Sequence, residues 1–358
     1  MNKTMLIAGA SGVVGRAALE YFDHLPDWRV IGLSRRAPDT SAGEHISLDL
    51  MDRAHCKQML SQLSDVTHVI YGALFEKPGL VPGWQEQDQM QTNLQMLQNF
   101  LEPLEAAAPN LCHFNLLQGT KAYGAHVHPM KVPGKEREPR DQHENFYWLQ
   151  EDYLRGRQQG KDWTFTIWRP PLIIGHALGA PMNVLSALGV YAAINREESK
   201  PLHWPGGNGG AIDAVDANLL AHAFAWAADN EAASNETFNV TNGDVFIWKN
   251  IWPSLAAAFD MEAGDEVALS LSETLPAKAG LWDEIRQKHQ LTAPGLLEFT
   301  GDSLIYTDMF FSIGSDQSLP SPFLSTIKIR QAGFAECIDT EDSLVDWIRY
   351  LRDKKILP

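Results

Sequence analysis

A glycine-rich turn near the N-terminus is the feature that most restricts the fold of this chain. It reads GASGVVG at residues 9–15, directly after the apolar run Thr4–Ala8, and apolar residues at helical spacing follow from Val13 to Phe22. A turn of this kind between a strand and a helix lets backbone N–H groups hold a pyrophosphate. The sequence therefore predicts a dinucleotide site whose phosphate-binding residues are Gly9, Ser11, Gly12, Val13, Val14 and Gly15.

Apolar strands and amphipathic helices continue to alternate along the first half of the chain. Strands too apolar to have a solvated face indicate a parallel sheet with helices on both sides. We therefore expect an α/β fold, a Rossmann-type doubly wound parallel sheet that binds ligands at the carboxyl ends of its strands. The other predicted strands are Arg29–Leu33, His45–Leu48, Thr67–Ala73, Cys112–Leu117, Thr164–Trp168 and Thr237–Val240, and the other predicted helices are Trp84–Ala107, Phe146–Gln159 and Ala211–Ala228.

After residue 175 the alternation loosens, and much of the chain is rich in Trp, Phe, Met, Pro and Leu. We predict a cofactor-binding core at 1–175 plus 208–245 and a smaller substrate-binding cap at 176–207 plus 246–358. The stretch from Pro170 to Asn195 has no Asp, Glu, Lys or Arg, but prolines and glycines interrupt it. These breaks favour a strand, a loop and a core helix over a membrane span.

The net charge and the cysteine content limit the kinds of partner that the protein can bind. The 358 residues carry 29 Lys+Arg against 45 Asp+Glu, a formal net charge of −16, which repels nucleic acids and anionic membranes. The 3 cysteines are far apart and match no disulfide or zinc pattern, so no metal site is predicted. Together with the lack of a secretory h-region after Met1, this predicts a cytoplasmic protein.

The end of the second predicted strand indicates which dinucleotide binds. An NAD site normally has an acidic residue there, whereas this chain has Ser34, Arg35 and Arg36. Two guanidiniums suit the 2′-phosphate of NADPH, because they offer positive charge and paired donors. Asp49 and Leu50, after the third strand, are predicted to lie beside the adenine.

The proton donor is less obvious, because the Tyr-x-x-x-Lys motif of short-chain reductases is missing from its usual helix. Tyr147 is followed four residues later by Glu151, and Lys121 lies instead in the loop after the fifth strand. We predict Tyr147 and Lys121 as the catalytic pair. Tyr123 and the pair Tyr153 and Arg157 remain rivals, and the C-terminal Tyr350 and Lys354 are interpreted as an exposed helix pair.

At this point the chain resembles the progesterone 5β-reductase and iridoid synthase-like enone reductases, a family of the short-chain dehydrogenase/reductase superfamily. The resemblance covers nearly the whole chain and includes GASGVVG at 9–15, LQGTKAYG at 117–124, NFYWLQED at 145–152 and WRPPLIIG at 168–175. It implies that Lys121 and Tyr147 act together, that Pro170 and Ile173 line the cofactor, and that Asn183 lines the substrate pocket. Leu74 and Phe75 stand where plant members have a tryptophan, so they are further expected pocket residues.

The resemblance implies NADPH-dependent 1,4-reduction of a small apolar α,β-unsaturated carbonyl compound. Tyr147 would donate to the developing enolate oxygen, and Lys121 would keep the phenol acidic. Two alternatives stay open: a carbonyl reductase or epimerase of the same superfamily, and a non-catalytic NADP-sensing regulator. The oligomeric state, a homodimer included, is also left open.

Overall fold

A parallel sheet of seven strands organises the protein. The computed structural model describes residues 3–207, 209–313 and 321–358. Its strands are β1 (Lys3–Ala8), β2 (Trp28–Ser34), β3 (Glu44–Ser47), β4 (His68–Tyr71), β5 (His113–Leu117), β6 (Thr164–Arg169), β7 (Leu172–Ile174), β8 (Leu202–Trp204), β9 (Ala214–Asp216), β10 (Glu236–Asn239) and β11 (Ala263–Glu266). The large sheet has the order β10-β6-β5-β4-β1-β2-β3, and all its pairs are parallel.

Helices cover both faces of this sheet. They are α1 (Val13–Asp23), α2 (Arg53–Leu60), α3 (Gln87–Ala107), α4 (Phe146–Gln158), α5 (Val184–Glu197), α6 (Ala217–Ala228), α7 (Trp248–Ala258), α8 (Leu271–Thr274), α9 (Ala279–His289), α10 (Leu296–Thr300), α11 (Ser303–Phe310), α12 (Ile327–Gln331) and α13 (Thr340–Asp353). α1 and α6 bury apolar residues against one face, and α2, α3 and α4 against the other. Strands β1 and β4 are buried almost along their whole length, as expected for a sheet covered on both sides. The predicted doubly wound α/β fold is confirmed.

The strand order reverses beside β1, where β4 lies on one side and β2 on the other. Loops that leave β1 and β4 at their carboxyl ends therefore separate to opposite sides and leave a crevice, which is where open α/β sheets bind ligands. The backbone N–H of Gly72, just after β4, donates to the carbonyl of Ala8 at 3.0 Å. The two loops therefore start in contact.

Residues of the predicted cap pack in one apolar cluster, which also includes Leu172, Ile174, Ile212 and Ala214 of the predicted core segments. α5, α7, α9 and α13 contribute most of its buried side chains, including Trp252, Trp282 and Trp347. The division into a core at 1–175 plus 208–245 and a cap at 176–207 plus 246–358 stays a prediction. Within Pro170–Asn195 the expected strand, loop and helix are confirmed as β7, the loop 175–183 and α5. No helix within the described ranges is long and apolar enough to cross a membrane.

Two predicted helices begin later than the sequence pattern indicated. The segment Ala211–Ala228 was wrong as one helix, because Ala214–Asp216 form strand β9 beside β7 and Asp216 caps α6 through the N–H of Asn218. In the segment Trp84–Ala107, Trp84 lies in a separate 3₁₀ turn (Pro82–Gln85), and α3 begins only at Gln87. In both segments a polar residue with extended backbone interrupts an otherwise helical pattern of apolar residues.

Candidate active site

The glycine turn packs against the loop after β4. Gly9 has φ +86°, and a Cβ there would lie 2.8 Å from the backbone of Gly72 and Ala73. A Cβ on Gly15 would overlap the carbonyl oxygen of Gly9. Neither position tolerates a side chain, so this close packing requires glycine at both.

The start of α1 fits the predicted pyrophosphate. Gly12 is its N-cap and supplies no side-chain hydrogen bond, and the N–H groups of Val13 and Val14 lie in the first turn, where no helical carbonyl precedes them. Gly175 closes this region from the other side, since a Cβ there would lie 2.7 Å from Val13. The structure therefore offers a small cradle of backbone donors, and the roles of Gly9, Ser11, Gly12, Val13, Val14 and Gly15 in cofactor binding stay predictions consistent with it.

The turn after β2 is held by two hydroxyl groups. Ser34 is buried and its Oγ donates to the carbonyl of Arg36 at 2.6 Å, and Ser47 Oγ donates to the carbonyl of Arg35 at 3.1 Å. The Arg35 and Arg36 side chains are exposed, but Arg36 also donates to the carbonyl of Leu178 in the loop before α5. Arg35 is therefore the stronger candidate for a contact with the 2′-phosphate, because the Arg36 side chain is also bound to the carbonyl of Leu178.

Of the remaining predicted cofactor residues, Asp49, Leu50 and Pro170 follow strands β3 and β6 of the large sheet, and Ile173 lies in β7, which pairs with β9. Asp49 is exposed and accepts from the N–H of Met51 at 2.9 Å, whereas Leu50 is buried. Pro170 is buried directly after β6, and Ile173 is half-buried in β7. Their contacts with a cofactor stay predictions.

Tyr147 lies in the first turn of α4, and a single asparagine fixes its backbone. Asn145 Oδ1 accepts from the N–H of Tyr147 at 3.0 Å and caps the helix, while its Nδ2 donates to the carbonyl of Lys121 at 2.9 Å. The two predicted catalytic residues are therefore joined through one side chain. The sequence analysis missed this role of Asn145, although an asparagine before a helical run is a recognised capping signal.

The hydroxyl of Tyr147 points towards the carboxyl ends of β5 and β6. A Cβ on Gly119 would lie 3.2 Å from this hydroxyl and 3.4 Å from the carbonyl oxygen of Pro170. Burial raises the pKa of Tyr147 well above 10, and the nearby charge of Glu76 adds to the effect. Tyr147 is thus a protonated phenol that can donate a hydrogen bond, and the expectation of an acidified phenol was wrong for this structure.

Lys121 is bound to other partners than the phenol. Its Nζ lies 3.4 Å from Glu76 Oε1 and 3.7 Å from the ring centroid of Trp84. Burial lowers the pKa of Lys121 to about 8, although Glu76 acts in the opposite direction. In the described part of the chain, the side-chain hydrogen bond of Lys121 goes to Glu76 and none joins it to Tyr147. The joint catalytic role of Tyr147 and Lys121 stays a prediction.

Glu151 occupies the helix position where short-chain reductases place their lysine. The carboxylate is 6 % exposed and lies 3.3 Å from Arg169, 2.9 Å from Arg155 and 3.1 Å from Arg140. Burial would raise the pKa of Glu151, but the three guanidiniums outweigh it and hold that pKa below its ordinary value. The missing lysine therefore has a structural cause, because this position is surrounded by positive charge.

The predicted pocket residues lie on different elements. Leu74, in the loop after β4, packs against the small cluster that contains Tyr147. Phe75 is held by its backbone, since its N–H donates to Asn93 Oδ1 and its carbonyl accepts from Asn93 Nδ2, both at 2.9 Å. Asn183 is buried, and its Oδ1 caps α5 through the N–H of Leu185, while its amide nitrogen has no hydrogen bond to the described residues. That these residues touch a substrate stays a prediction.

The rival tyrosines have other structural partners. Tyr123 donates to Asn239 Oδ1 at 2.6 Å, and Tyr153 lies 3.5 Å from Glu102. The description of Tyr350 as exposed was wrong, because its hydroxyl accepts from buried Arg16 at 2.8 Å, whereas Lys354 is exposed. The sequence analysis missed Glu76, and a single acid in the apolar loop after β4 was the signal for it.

Comparison with known proteins identifies the family of the chain. Residues 47–293 match the family described as PRISE-like Rossmann-fold domain. The chain is 34 % identical to (S)-8-oxocitronellyl enol synthase of Antirrhinum majus and 33 % identical to 3-oxo-Delta(4,5)-steroid 5-beta-reductase of Arabidopsis thaliana, with 99 % of this chain and 92 % of each relative covered.

Among solved structures, UDP-glucose 4-epimerase from Bifidobacterium longum in complex with NAD+ and UDP has a TM-score of 0.67 over 99 % of this chain and 100 % of the epimerase chain. At 13 % identity that likeness concerns the fold alone. The family match and the full-length relatives show more: this chain belongs to the PRISE-like family of Rossmann-fold proteins.

Proposed function

We propose that this protein uses NADPH to reduce the C=C bond of small apolar α,β-unsaturated carbonyl compounds. The observation that carries the proposal is the buried, protonated hydroxyl of Tyr147 beside Gly119 and Pro170, at the carboxyl ends of β5 and β6. Relatives about one third identical over their length are named as an enol synthase and a steroid 5-beta-reductase. Both names describe chemistry next to a conjugated carbonyl group.

Each residue of the site has a separate role in such a reaction. NADPH supplies the hydride when bound. Tyr147 donates its O–H to the carbonyl oxygen, on which negative charge accumulates as the enolate forms. Lys121 adds a positive charge from the β5 loop, and Leu74 and Phe75 keep water from the reacting atoms.

The position of Glu151 favours 1,4-reduction over carbonyl reduction. A carbonyl reductase must return a proton to the alkoxide oxygen, and the usual relay for that proton includes a lysine four residues after the tyrosine. Here that position holds a carboxylate bound by three arginines. A phenol that only stabilises an enolate oxygen needs no such relay, because the enolate can take its carbon proton later, from water or another donor.

Product analysis with 2-cyclohexenone and NADPH tests the reaction type. We expect cyclohexanone as the main product and no NADPH oxidation with cyclohexanone as substrate, since the saturated ketone has no conjugated C=C bond. A predominance of allylic alcohol would identify a carbonyl reductase instead. A protein that binds NADPH but oxidises it with no enone or enal would be a cofactor-sensing regulator.

Cofactor selectivity gives a second test. Arg35→Ala should raise the Kd for NADPH about 10-fold or more and leave that for NADH unchanged, because a charge-assisted contact to the 2′-phosphate is lost. The double substitution Arg35→Ala, Arg36→Ala should weaken NADPH further and also weaken NADH slightly, since Arg36 holds the loop at Leu178. Titration of nucleotide fluorescence measures both constants. Equal affinities of the unmodified protein for NADPH and NADH would contradict this assignment.

We also propose a small-molecule substrate and a cytoplasmic location. The net charge of −16 opposes binding to nucleic acids, and Cys56, Cys112 and Cys337 are unpaired, as expected in a reducing compartment.

A further inference from the structure

A buried carboxylate that the sequence analysis did not consider lies beside Lys121. Glu76 belongs to the loop after β4, at the crevice where the strand order reverses, and its side chain is 4 % exposed. Its Oε2 accepts from Trp84 Nε1 at 3.0 Å and from Gln89 Nε2 at 2.9 Å, and its Oε1 faces Lys121 Nζ at 3.4 Å. All three of these partners are hydrogen-bond donors.

The neighbours of Glu76 come from separate elements and hold it in one place. Gln89 is fully buried in α3, and its Oε1 accepts from the N–H of Lys77, which fixes the chain one residue after Glu76. Trp84 lies in the 3₁₀ turn before α3 and uses its N–H for Glu76 and its ring face for Lys121. The carboxylate and the indole therefore contact the same ammonium group.

This arrangement compensates a charge that burial disfavours. The Lys121 side chain is 14 % exposed, and an isolated ammonium loses its hydration in such a place. A carboxylate and an aromatic face are the two kinds of group that stabilise a buried cation. Without the carboxylate, Lys121 would have a stronger tendency to lose its proton.

We propose that Glu76 is a positioning residue for the reaction proposed above, keeping Lys121 protonated and fixing its ammonium between the Glu76 carboxylate and the Trp84 ring. The proposal rests on that function for its catalytic consequence only. The geometry supports it in two ways: Glu76 contacts Lys121 directly, and Asn145 ties the Lys121 backbone to that of Tyr147.

Among the titratable groups around Lys121, the lysine itself changes charge near neutral pH. Burial lowers the pKa of His126, in the same loop as Lys121, to about 4, so that imidazole is neutral. Burial raises the pKa of Tyr147 in α4 and of Tyr306 in α11 well above 10, with Glu76 adding to both shifts. The pKa of Lys121 is about 8, and Glu76 is the carboxylate that raises it against burial.

The pH profile of Glu76→Gln tests the proposal. If protonated Lys121 is the active form, kcat/KM for an enone falls as the pH rises through its pKa. Removal of the Glu76 charge lowers that pKa, so we expect the alkaline limb to move to lower pH by about one unit. A purely structural role would lower kcat/KM by the same factor at every pH and leave the limb in place, which would overturn the proposal.

A measurement independent of activity separates this proposal from the proposed function. Competitive acetylation with acetic anhydride, followed by peptide mass spectrometry, gives the pKa of Lys121 in the folded protein. We expect a lower value in Glu76→Gln than in the unmodified protein. If no enone is reduced, the proposed function fails, but the acetylation experiment still decides whether Glu76 keeps Lys121 protonated. An unchanged pKa of Lys121 in Glu76→Gln rejects the proposal for Glu76.

The exposed pair Lys131 and Glu138 provides a matched control. Their charged atoms lie 3.0 Å apart, but the Lys131 side chain is 74 % exposed. Glu138→Gln should leave enone turnover and the titration of Lys121 unchanged. If Glu76→Gln does not fold, Glu76→Asp replaces it: a carboxylate one methylene further away should give a smaller shift in the same direction, and no shift in that variant rejects the proposal.

Discussion

Substitution of Tyr147 by phenylalanine should lower kcat for 2-cyclohexenone by about 100-fold or more while NADPH still binds. The phenol donates to an oxygen that carries full negative charge only as the enolate forms, so its loss affects the transition state more than the ground state. Removal of one donor of this kind typically costs a factor of about 10²–10³. Steady-state kinetics and nucleotide titration of the same preparation measure the two effects separately.

The fold should survive this change. The ring of Tyr147 packs beside Phe146 with centroids 4.4 Å apart, and phenylalanine keeps that ring. Lys354→Ala is the control at the chain's one Tyr-x-x-x-Lys motif, Tyr350 to Lys354, and it should leave kcat unchanged. If Tyr147→Phe instead weakens NADPH binding and leaves kcat at saturating NADPH unchanged, Tyr147 supports the cofactor site and is not the donor.

The fold was predictable because its signals are local. Most strands of the large sheet contain an apolar run, and the glycine turn at residues 9–15 lies between the first of these strands and a helix. The predicted starts of α3 and α6 were wrong because one polar residue with extended backbone interrupts each helical pattern. Asp216 caps α6, so the helix begins only at Ala217. The residues before it form β9, and this depends on the pairing of β9 with β7, a contact that is not local in sequence.

The candidate site was predictable only in part, because its contacts join distant segments. Strand order placed Lys121 and Tyr147 at one edge of the sheet. Nothing in the sequence shows that Lys121 faces a carboxylate 45 residues earlier in the chain, or that Trp84 covers the same ammonium. Burial is the main reason why the pKa of the Tyr147 phenol is raised, and the nearby charge of Glu76 adds to it.

Glu151→Lys, which restores the Tyr-x-x-x-Lys spacing, should destabilise the protein severely. Glu151 is the carboxylate shared by Arg140, Arg155 and Arg169, and Gln118 Nε2 also donates to it at 3.2 Å. Removal of one partner from a buried ionic network costs about 3–5 kcal/mol, and a lysine would add repulsion to that loss. Urea unfolding should therefore show a free energy of unfolding lower by at least that amount, or no folded protein.

The adjacent Asp152 supplies the control for this last prediction. Asp152 also pairs with Arg140, at 2.7 Å, but its side chain is 64 % exposed. Asp152→Lys reverses the same charge in solvent and should change the free energy of unfolding by only about 1 kcal/mol or less. If Glu151→Lys is as stable as the control and gains carbonyl reductase activity, the arginines do not require a carboxylate, and the missing lysine reflects selection on the reaction instead. Loss of stability confined to Glu151→Lys would mean that the arginine network excludes a lysine from this helix position, so that any catalytic cation must come from another element.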